Sequence, residues 1–370
     1  MLNFAHSLHD KVGQEESEHR VGEPEENLNH TTQMKQSASA PQLVAIDVSA
    51  TELVVARERA GGLLPVAKFP NTAAGHRALL KALAPARSPA RVILEATGVY
   101  SLELALVLHQ AVGVEVMVVN PRTIKDYQRA RLTRAKTDRV DALGLLDFLA
   151  RMPFLAWTPP APEVLALQQL TRRIFQLRNE LTREQARLHA VGFTPDRGGV
   201  IAHDLELNLA HLQRRIKALH ASALELVKSH PALQAAVARL TSAPGIAHVS
   251  AMRLLAELLV LPPELKAPQW VAHAGLDPRP CESGSSLHKP RHITKTGNRY
   301  LRTALFMPAL VAIQRDGQVK AFYEQLIARG KKPKQAIVAV MRKLLHCLWG
   351  MLRNAQDFDS ARFYTLPQNA

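Results

Sequence analysis

Short apolar runs alternate with amphipathic segments over the first third of the ordered sequence. Apolar runs that predict buried strands are LVAIDV and ELVVAR, which a tight connection joins, followed by RVILE and VEVMVV. Helical spacing between them predicts helices at about 73–84 and 101–111. Strands that alternate with helices indicate an α/β layer with parallel pairing, to which the opening hairpin adds antiparallel strands.

Helical periodicity replaces this pattern after a proline-rich segment at 153–163, which is typical of a linker. Two long, highly charged helical patterns cover 164–188 and 201–230, with a glycine-containing break at 192–199. They predict an antiparallel coiled-coil hairpin. Such an arm serves in assembly or spans a nucleic acid, and a plain structural arm is the alternative.

The last part of the sequence is mainly helical. Its first motif, LTSAPGIAHVSAMRLLAEL, has the form of a helix-hairpin-helix, in which backbone N–H groups at the turn contact phosphates without reading sequence. The patterns together predict this division of the chain: an acidic, disordered tail at 1–40, an α/β domain at 41–157, the arm at 158–238, a C-terminal domain at 239–356 and a second tail at 357–370.

Charge and composition narrow the class of partner. The 370 residues carry a net charge of +15. Residues 1–40 hold three Lys/Arg against seven Asp/Glu, a net −4, so the remaining 330 residues carry +19. This excess is spread over several segments and indicates nucleic acid rather than a membrane surface. Two cysteines and the lack of a signal peptide or membrane-spanning run place the protein in a reducing cytoplasm.

Four acids are spaced as candidate metal ligands. Asp47 and Glu95 end two predicted strands of one sheet, and Asp138 and Asp141 lie three apart on one face of a following helix. Clustered carboxylates repel one another unless a cation lies between them, and oxygen ligands suit Mg²⁺. The local alternative is that Thr137 or Asp138 caps the helix and Asp141 complements its dipole.

A serine-rich loop in the C-terminal domain carries the other candidate chemistry. Ser283, Ser285 and Ser286 surround Gly284. A dense basic series flanks them and is expected to bind phosphate: Arg279, Lys289, Arg291, Lys295, Arg299 and Arg302. A hydroxyl in this setting is a candidate nucleophile towards a phosphodiester. The alternative is a solvated loop whose serines cap the next helix.

The order of these motifs resembles the IS-one-ten (IS110) family of bacterial insertion-sequence transposases. Asp47, Glu95 and the segment KTDRVDA match the four acids of its DEDD motif. The second half matches through PGI, AGLDPR, ESGSS, ITKTGNRYLR and a closing MRKLL helix. The resemblance covers about residues 42–355. The acidic tail is extra, and Ala247 stands where a second glycine is usual in the hairpin.

The resemblance implies a RuvC-like, ribonuclease-H-like N-terminal domain, a coiled-coil arm and a mainly α C-terminal transposase domain. It also implies Ser283 as the catalytic nucleophile and Asp47, Glu95, Asp138 and Asp141 as Mg²⁺ ligands. Family members are RNA-guided recombinases, in which a structured bridge RNA pairs with both donor and target double-stranded DNA. The family's active site joins two protomers, so the resemblance also implies a dimer or tetramer, expected to work at the bacterial nucleoid.

Two other functions remain open on the sequence. One is a metal-dependent nuclease of the junction-resolvase kind, in which water attacks and Ser283 only binds phosphate. The other is a transposase that has lost activity and kept its basic surfaces. A covalent protein–DNA adduct that disappears with Ser283→Ala distinguishes the first alternative from the recombinase.

The charge pattern predicts a steep salt dependence of nucleic-acid binding. Segments 122–136 and 289–302 are basic, and neutralising phosphates releases counterions. We expect the affinity for DNA or RNA to fall by on the order of 10³-fold or more between roughly 50 and 200 mM salt. Fluorescence anisotropy with a labelled duplex measures this slope. A nearly constant affinity would contradict the electrostatic argument.

Overall fold

The N-terminal part of the chain is a mixed β-sheet with helices on both faces. In the computed structural model, the residues described are 40–60, 62–85, 88–132, 137–194, 199–279, 282–283, 287–288 and 292–365. The elements of this first part are β1 (Gln42–Val48), β2 (Glu52–Arg59), β3 (Gly62–Leu63), β4 (Ala67–Pro70), α1 (Ala73–Leu83), β5 (Ala90–Glu95), α2 (Val99–Gln110), β6 (Val114–Val119), α3 (Pro121–Ala130) and α4 (Asp138–Arg151).

The strand order is β3-β2-β1-β5-β6, with β4 also paired to β2. β2 runs antiparallel to β1, whereas β1, β5 and β6 run parallel, as the sequence pattern predicts. β3 and β4 were not predicted because both are short and largely exposed. α3 was also missed. Pro121 ends the strand pattern but is at the same time the first residue of α3, where a missing N–H costs nothing.

Side chains of the sheet alternate between two cores. Val44, Ile46 and Leu94 point to the face covered by α1 and α2. Ala45 and Ile93 point to the opposite face, where they pack with buried residues of α4. Burial on both faces explains why β1 and β5 read as nearly continuous apolar runs.

Two long helices form the arm: α5 (Pro162–Val191) and α6 (Val200–Ser229). They pack against each other along their length. Ile174 and Leu177 of α5 meet Ile216 and Leu212 of α6, so the helices run antiparallel. The buried positions of α5 follow a spacing of three and four residues, including Leu167, which is typical of a helical seam.

The C-terminal part is a helical bundle interrupted by short strands. Its elements are α7 (Pro231–Thr241), α8 (His248–Leu258), α9 (Ala267–Ala274), β7 (Pro278–Arg279), β8 (Glu282–Ser283), β9 (Leu287–His288), β10 (His292–Ile293), α10 (Arg299–Arg315), α11 (Gly317–Ala328), α12 (Pro333–Asn354) and α13 (Ser360–Phe363). Phe363 is fully buried in the bundle core, so residues 357–365, predicted from the sequence to belong to a tail, are part of the domain.

α12 is the one helix of the described residues that is long and apolar enough to cross a membrane by composition. The sequence analysis did not single it out, since charged residues interrupt its apolar stretch. Val340, Leu344 and Leu348 of α12 are fully buried in the bundle core. α12 is therefore a central core helix of this domain.

One buried carboxylate joins the base of the arm to the C-terminal bundle. Glu257 on α8 is 1% exposed. Its oxygens accept two hydrogen bonds from Arg172 of α5, both at 2.7 Å, and one from Asn298 Nδ2 at 2.6 Å. Gln168 Nε2 is a further donor at 3.4 Å. The Arg172 guanidinium also lies 4.8 Å from the centre of the Tyr300 ring, so the arm and the start of α10 are fixed to each other.

Removing the charge of Glu257 should destabilise the fold. Glu257→Gln keeps the size of the side chain but leaves Arg172 without its counter-charge in a half-buried place. We expect the free energy of unfolding to fall by about 2–4 kcal/mol. Urea unfolding measures the change.

The matched control is Glu324→Gln, which removes a glutamate from the surface pair with Lys320, 3.8 Å apart. Both side chains are mostly exposed, so the expected loss is below about 1 kcal/mol. Equal stability of the two variants would show that the Glu257 charge contributes little.

Candidate active site

Two of the predicted acids lie side by side at one edge of the sheet. Ile46 of β1 is paired with Leu94 of β5, and the next residue of each strand is an acid, Asp47 and Glu95. Both strands run parallel, so both acids lie at the carboxyl end. Because side chains alternate, Asp47 and Glu95 lie on the same face as Ala45, the face that α4 covers. Both acids are half-buried.

The other two acids occupy the first turn of α4, which packs over β1 and β5. Thr137 caps this helix, since its hydroxyl accepts from the Val140 N–H at 3.3 Å. Of the two capping residues that the sequence allowed, Thr137 is therefore the one used. Asp138 is exposed and Asp141 is half-buried. Two acids in the first turn also complement the helix dipole, so this local effect and a metal-binding role are compatible.

Each of these two acids has an identified neighbour. Gln128 Nε2 of α3 donates to Asp141 Oδ1 at 3.3 Å. A Cβ at Gly144 would lie 2.5 Å from Gln128 Nε2, so a glycine one turn beyond Asp141 makes room for this amide. The pKa of Lys68 is raised, first by its bond to Glu52 and in smaller part by Asp138. A cation on β4 therefore lies near Asp138.

A carboxylate further along α4 fixes the helix against α3. Tyr127 Oη donates to Asp147 at 2.5 Å, and Arg151 Nε donates at 2.8 Å. Arg131 forms a third contact with the same carboxylate. Burial by itself raises the pKa of Asp147, but the bonds from Arg151, Tyr127 and Arg131 outweigh it and hold this pKa below its ordinary value. The charged network holds α4 in the orientation that brings its first turn to the sheet edge.

The side chains of the four acids do not form a closed metal-binding group. Within the part of the chain that the structure describes, no three His, Cys, Asp or Glu side chains converge as ligands. The backbone nevertheless brings two strand ends and one helix start to the same face of the sheet. The candidate donors there are all carboxylate oxygens, the ligand type that hard divalent cations prefer.

Ser283 lies on a β-hairpin and not in an irregular loop. β7 pairs with β10, and further out β8 pairs with β9. Ser283 is paired with Leu287, so it is the last strand residue before the turn. Gly284, Ser285 and Ser286 lie outside the described residues, as do Lys289 and Arg291. The strands were missed because each has two residues and no apolar alternation.

Glycines and one polar pair shape the base of this hairpin. Gly275 and Gly297 have positive φ of 63° and 121°. A Cβ at Gly297 would lie 2.2 Å from the carbonyl oxygen of His273, so only glycine permits this approach. Across the base, Thr294 donates to Asp277 through both its backbone N–H at 2.9 Å and its hydroxyl at 2.7 Å. These contacts therefore fix the base of the hairpin where it leaves the helical bundle.

The remaining predicted phosphate-binding residues have different surroundings. Arg279 lies on β7. Lys295 and Arg299 are exposed at the base of the hairpin, where they can meet a ligand. Arg302 is half-buried and donates to the Ala274 carbonyl at 2.8 Å, and burial lowers its pKa. One donor of Arg302 thus stabilises the end of α9.

A cleft of about 820 Å³ lies between the sheet and the base of the hairpin. On the sheet side it is lined by Asn120 and Arg122, and Asn120 directly follows β6, the neighbour of the strand that ends in Glu95. The residues lining the bundle side are Arg172, Ala272, His273, Asp277, Thr294, Thr296, Gly297, Asn298, Arg299 and Tyr300. Most residues that line the cleft have polar or basic side chains, and such groups can contact a phosphate backbone.

Several of these lining residues were not candidates in the sequence analysis. Arg122 lies within a basic segment of the sequence, and this local charge was the only feature that could have identified it. Asn298 and Tyr300 stood within the motif ITKTGNRYLR but were not singled out, and His273 carried no signal. The pKa of His273 is lowered chiefly by burial and also by Arg172, while Glu257 acts in the opposite direction, so the imidazole is neutral near pH 7.

Comparison with known proteins agrees with this arrangement. Residues 44–191 match a family model described as a DEDD transposase of IS110 type. Residues 237–324 match a second model, described as the transposase IS116/IS110/IS902 family. The first match contains all four acids and the second contains Ser283.

Individual relatives extend the match over most of the chain. A pilin gene-inverting protein from Moraxella bovis is 30% identical over 275 residues, which is 74% of this chain and 83% of the relative. An uncharacterised 43.6 kDa protein of insertion element IS110 from Streptomyces coelicolor is 34% identical over 158 residues, 42% of this chain and 36% of the relative. An uncharacterised 42 kDa protein of insertion element IS900 from Mycobacterium paratuberculosis is 37% identical over 91 residues, 24% of this chain and 22% of the relative. From both family models and these relatives, the chain belongs to the IS110 family of insertion-sequence transposases and is a DNA transposase or recombinase.

Proposed function

We propose that this transposase is an RNA-guided recombinase that cuts and rejoins donor and target DNA through a covalent intermediate on Ser283. The proposal rests on two groups of residues, which we call half-sites. The acid half-site consists of Asp47, Glu95, Asp138 and Asp141 at one sheet edge, and the serine half-site is Ser283 at the end of a hairpin whose base is fixed. A cleft with several polar and basic lining residues lies between the start of α3, which directly follows β6, and the base of the hairpin. Neither half-site alone supplies both a nucleophile and the means to stabilise its transition state.

The covalent step is an exchange of one phosphodiester bond for another. The Ser283 oxygen attacks phosphorus, the bond from phosphorus to the 3′-oxygen breaks, and the serine proton ends on the released 3′-hydroxyl. In the second step a 3′-hydroxyl from the other DNA attacks the serine phosphodiester and returns a proton to Ser283. The number of phosphodiester bonds is conserved, so rejoining needs no ATP.

Asp47, Glu95, Asp138 and Asp141 are the residues that would hold Mg²⁺. When bound, the metal supplies positive charge that favours the attacking alkoxide and stabilises the phosphoryl transition state. The chain itself holds the carboxylates in place, because the parallel strands and α4 fix their backbone positions. Arg299 and Lys295, which are exposed at the hairpin base, would hold the DNA phosphates near Ser283.

We propose that the complete site joins the acids of one protomer to the serine of another. The division of the chain supports this: a RuvC-like domain at 41–157 and a transposase domain at 239–356, linked by a coiled-coil arm at 158–238. The sheet order, with antiparallel β2 and parallel β5 and β6 around β1, agrees with a ribonuclease-H-like core. The working form is then a dimer or tetramer.

We propose further that a structured bridge RNA selects donor and target DNA. The support is the broad positive charge of residues 41–370, together with the lack of an evident base-reading helix among the described elements. A relative whose name describes gene inversion agrees with recombination at chosen sites. Binding to DNA and RNA in a bacterial cytoplasm, at the nucleoid, follows from the same proposal.

The covalent intermediate can be trapped and mapped. With Mg²⁺, guide RNA and a nicked DNA substrate whose 3′-end cannot return, the protein should accumulate an adduct on Ser283, identified by mass spectrometry. Ser283→Ala should reduce the adduct by at least about 10³-fold, the usual scale for loss of a nucleophile. Ser285→Ala is the matched control and should retain the adduct.

The acid half-site is tested in the same assay. Each acid is replaced by its amide, and every variant should bind nucleic acid but form no adduct: Asp47→Asn, Glu95→Gln, Asp138→Asn and Asp141→Asn. Full recombination by the Asp138→Asn and Asp141→Asn variants would refute the metal role. An adduct on Ser285 or Ser286 would identify another nucleophile. An active protein without any adduct would identify a nuclease in which water attacks.

A further inference from the structure

A second cleft, remote from the acids and the hairpin in the chain, lies along α12. It has a volume of about 520 Å³, which is enough for one nucleotide. The residues that line it come from α11, α12 and the segment that follows: Phe322, Ala339, Arg342, Lys343, His346, Cys347, Gly350, Met351, Asn354, Gln356, Asp357, Phe358, Asp359 and Arg362. Its α12 residues recur at helical spacing, so the cleft follows one face of that helix.

Apolar and aromatic side chains form its walls. Phe322 of α11 and Phe358 after α12 are half-buried, and Met351 is 5% exposed. Ala339 and Gly350 are small, and a Cβ at Gly350 would meet nothing within 4 Å. The cleft is therefore open at its floor and has flat aromatic surface on which a planar group can stack.

Two cations lie on the same helix face. Lys343 Nζ is 4.6 Å from the centre of the Phe322 ring and 5.2 Å from that of Tyr364. Arg342 Nε is buried, and among the residues that the structure describes it has no hydrogen-bond partner. A buried donor without an acceptor is costly, and a ligand oxygen would remove that cost. The two cations favour a ligand with an anionic group.

The opposite side of the cleft is polar, and its charge is largely balanced. Arg362 pairs with Asp359 at 3.3 Å and donates to Gln356 at 2.8 Å, so this arginine is occupied within the protein. Asn354, the last residue of α12, and Asp357, which follows that helix, are exposed at the rim of the cleft. An amide and a carboxylate can accept hydrogen bonds from the amino groups of a base.

The cleft contains no activated nucleophile. Burial raises the pKa of the Cys347 thiol to about 11, so this thiol is protonated at neutral pH. An aromatic wall, two cations and polar groups opposite them suit binding and not covalent chemistry.

We propose that this cleft binds one unstacked nucleotide of single-stranded nucleic acid. Its base stacks on Phe322 or Phe358, and its phosphate lies at Arg342 and Lys343. Stacking on aromatic side chains combined with phosphate contacts is the usual way in which proteins hold single strands. An amphipathic helix from a second copy of the chain would match the apolar walls, but it would leave the two cations and the buried Arg342 donor without acceptors.

Photo-crosslinking of the full-length protein tests the proposal. The probe is a single-stranded 12-nucleotide oligomer with one 5-iodouracil, as DNA and as RNA, compared with the same sequence in a duplex. We expect the single-stranded probe to form an adduct on Phe322 or Phe358, mapped by mass spectrometry, and the duplex to form none there. The assay does not require catalysis, so its result is independent of the recombination mechanism.

Two variants and two matched controls locate the binding site. Gly350→Leu places a side chain in the cleft and should lower the adduct yield by about tenfold or more, the scale of one lost base stack. Arg342→Gln removes one cation and should also lower it. Gly317→Leu places the same side chain at another glycine with open space, and Lys320→Gln removes an exposed cation outside the cleft. Both controls should behave as the unchanged protein.

Three outcomes would overturn the proposal. The first is a wild-type adduct that maps only elsewhere in the chain. The second is an adduct on Phe322 or Phe358 that Gly350→Leu leaves unchanged while the variant elutes and unfolds as the wild type does. The third is a change of oligomeric mass in Gly350→Leu, measured by sedimentation, with no adduct at these residues in the wild type. This last result would assign the cleft to a second copy of the chain.

Discussion

A single buried carboxylate, Glu257, connects the parts of this protein that must work together. A charge in a bundle core is tolerated only if partners surround it, and its partners come from two places, the base of the arm and the start of α10. Asn298 at that start both bonds Glu257 and caps α10. The same residue follows Gly297, where the serine hairpin leaves the bundle. The orientation of the arm and the position of the hairpin therefore depend on the same buried charge.

The acid half-site depends on a different constraint, the geometry of a parallel sheet. Equivalent ends of neighbouring parallel strands must lie together, so Asp47 and Glu95 are adjacent regardless of their 48-residue separation. The position of the other two acids follows from packing. Asp147 ties α4 to α3 through Tyr127 and Arg131, and this places the first turn of α4 above the same face.

The two half-sites also differ in what holds their residues in position. The acids stand on strands and on a helix that is packed into a core, so their backbone positions are fixed. Ser283 stands at the end of a two-residue strand whose base is held by Asp277 and Thr294. The serine therefore depends on a short hairpin for its position, whereas the acids depend on the packed core of the sheet.

Local patterns were sufficient to predict the main strands, the two long helices of the arm and the helical bundle. The spacing of apolar residues shows which side of a strand or helix is buried, and this hardly depends on which elements pack against that side. The positions of Asp47 and Glu95 at strand ends followed from the same patterns, because a charged residue that ends an apolar run is visible in the sequence. The short strands β3, β4 and β7 to β10 were not predicted, since two to four residues carry no periodic signal.

Tertiary structure alone decided which residues surround the candidate site. His273, Asn298 and Tyr300 line the first cleft because α8 packs against both α5 and α10, and side chains of α5 meet Tyr300; no local pattern encodes these contacts. Arg302, one of a basic series in the sequence, has a guanidinium bonded to the Ala274 carbonyl, which only the fold reveals. The sequence by itself determined the main strands and helices and the family motifs, since both depend on the local order of residues. The fold determined which charges are buried, paired or exposed, because burial and pairing depend on residues far apart in the chain.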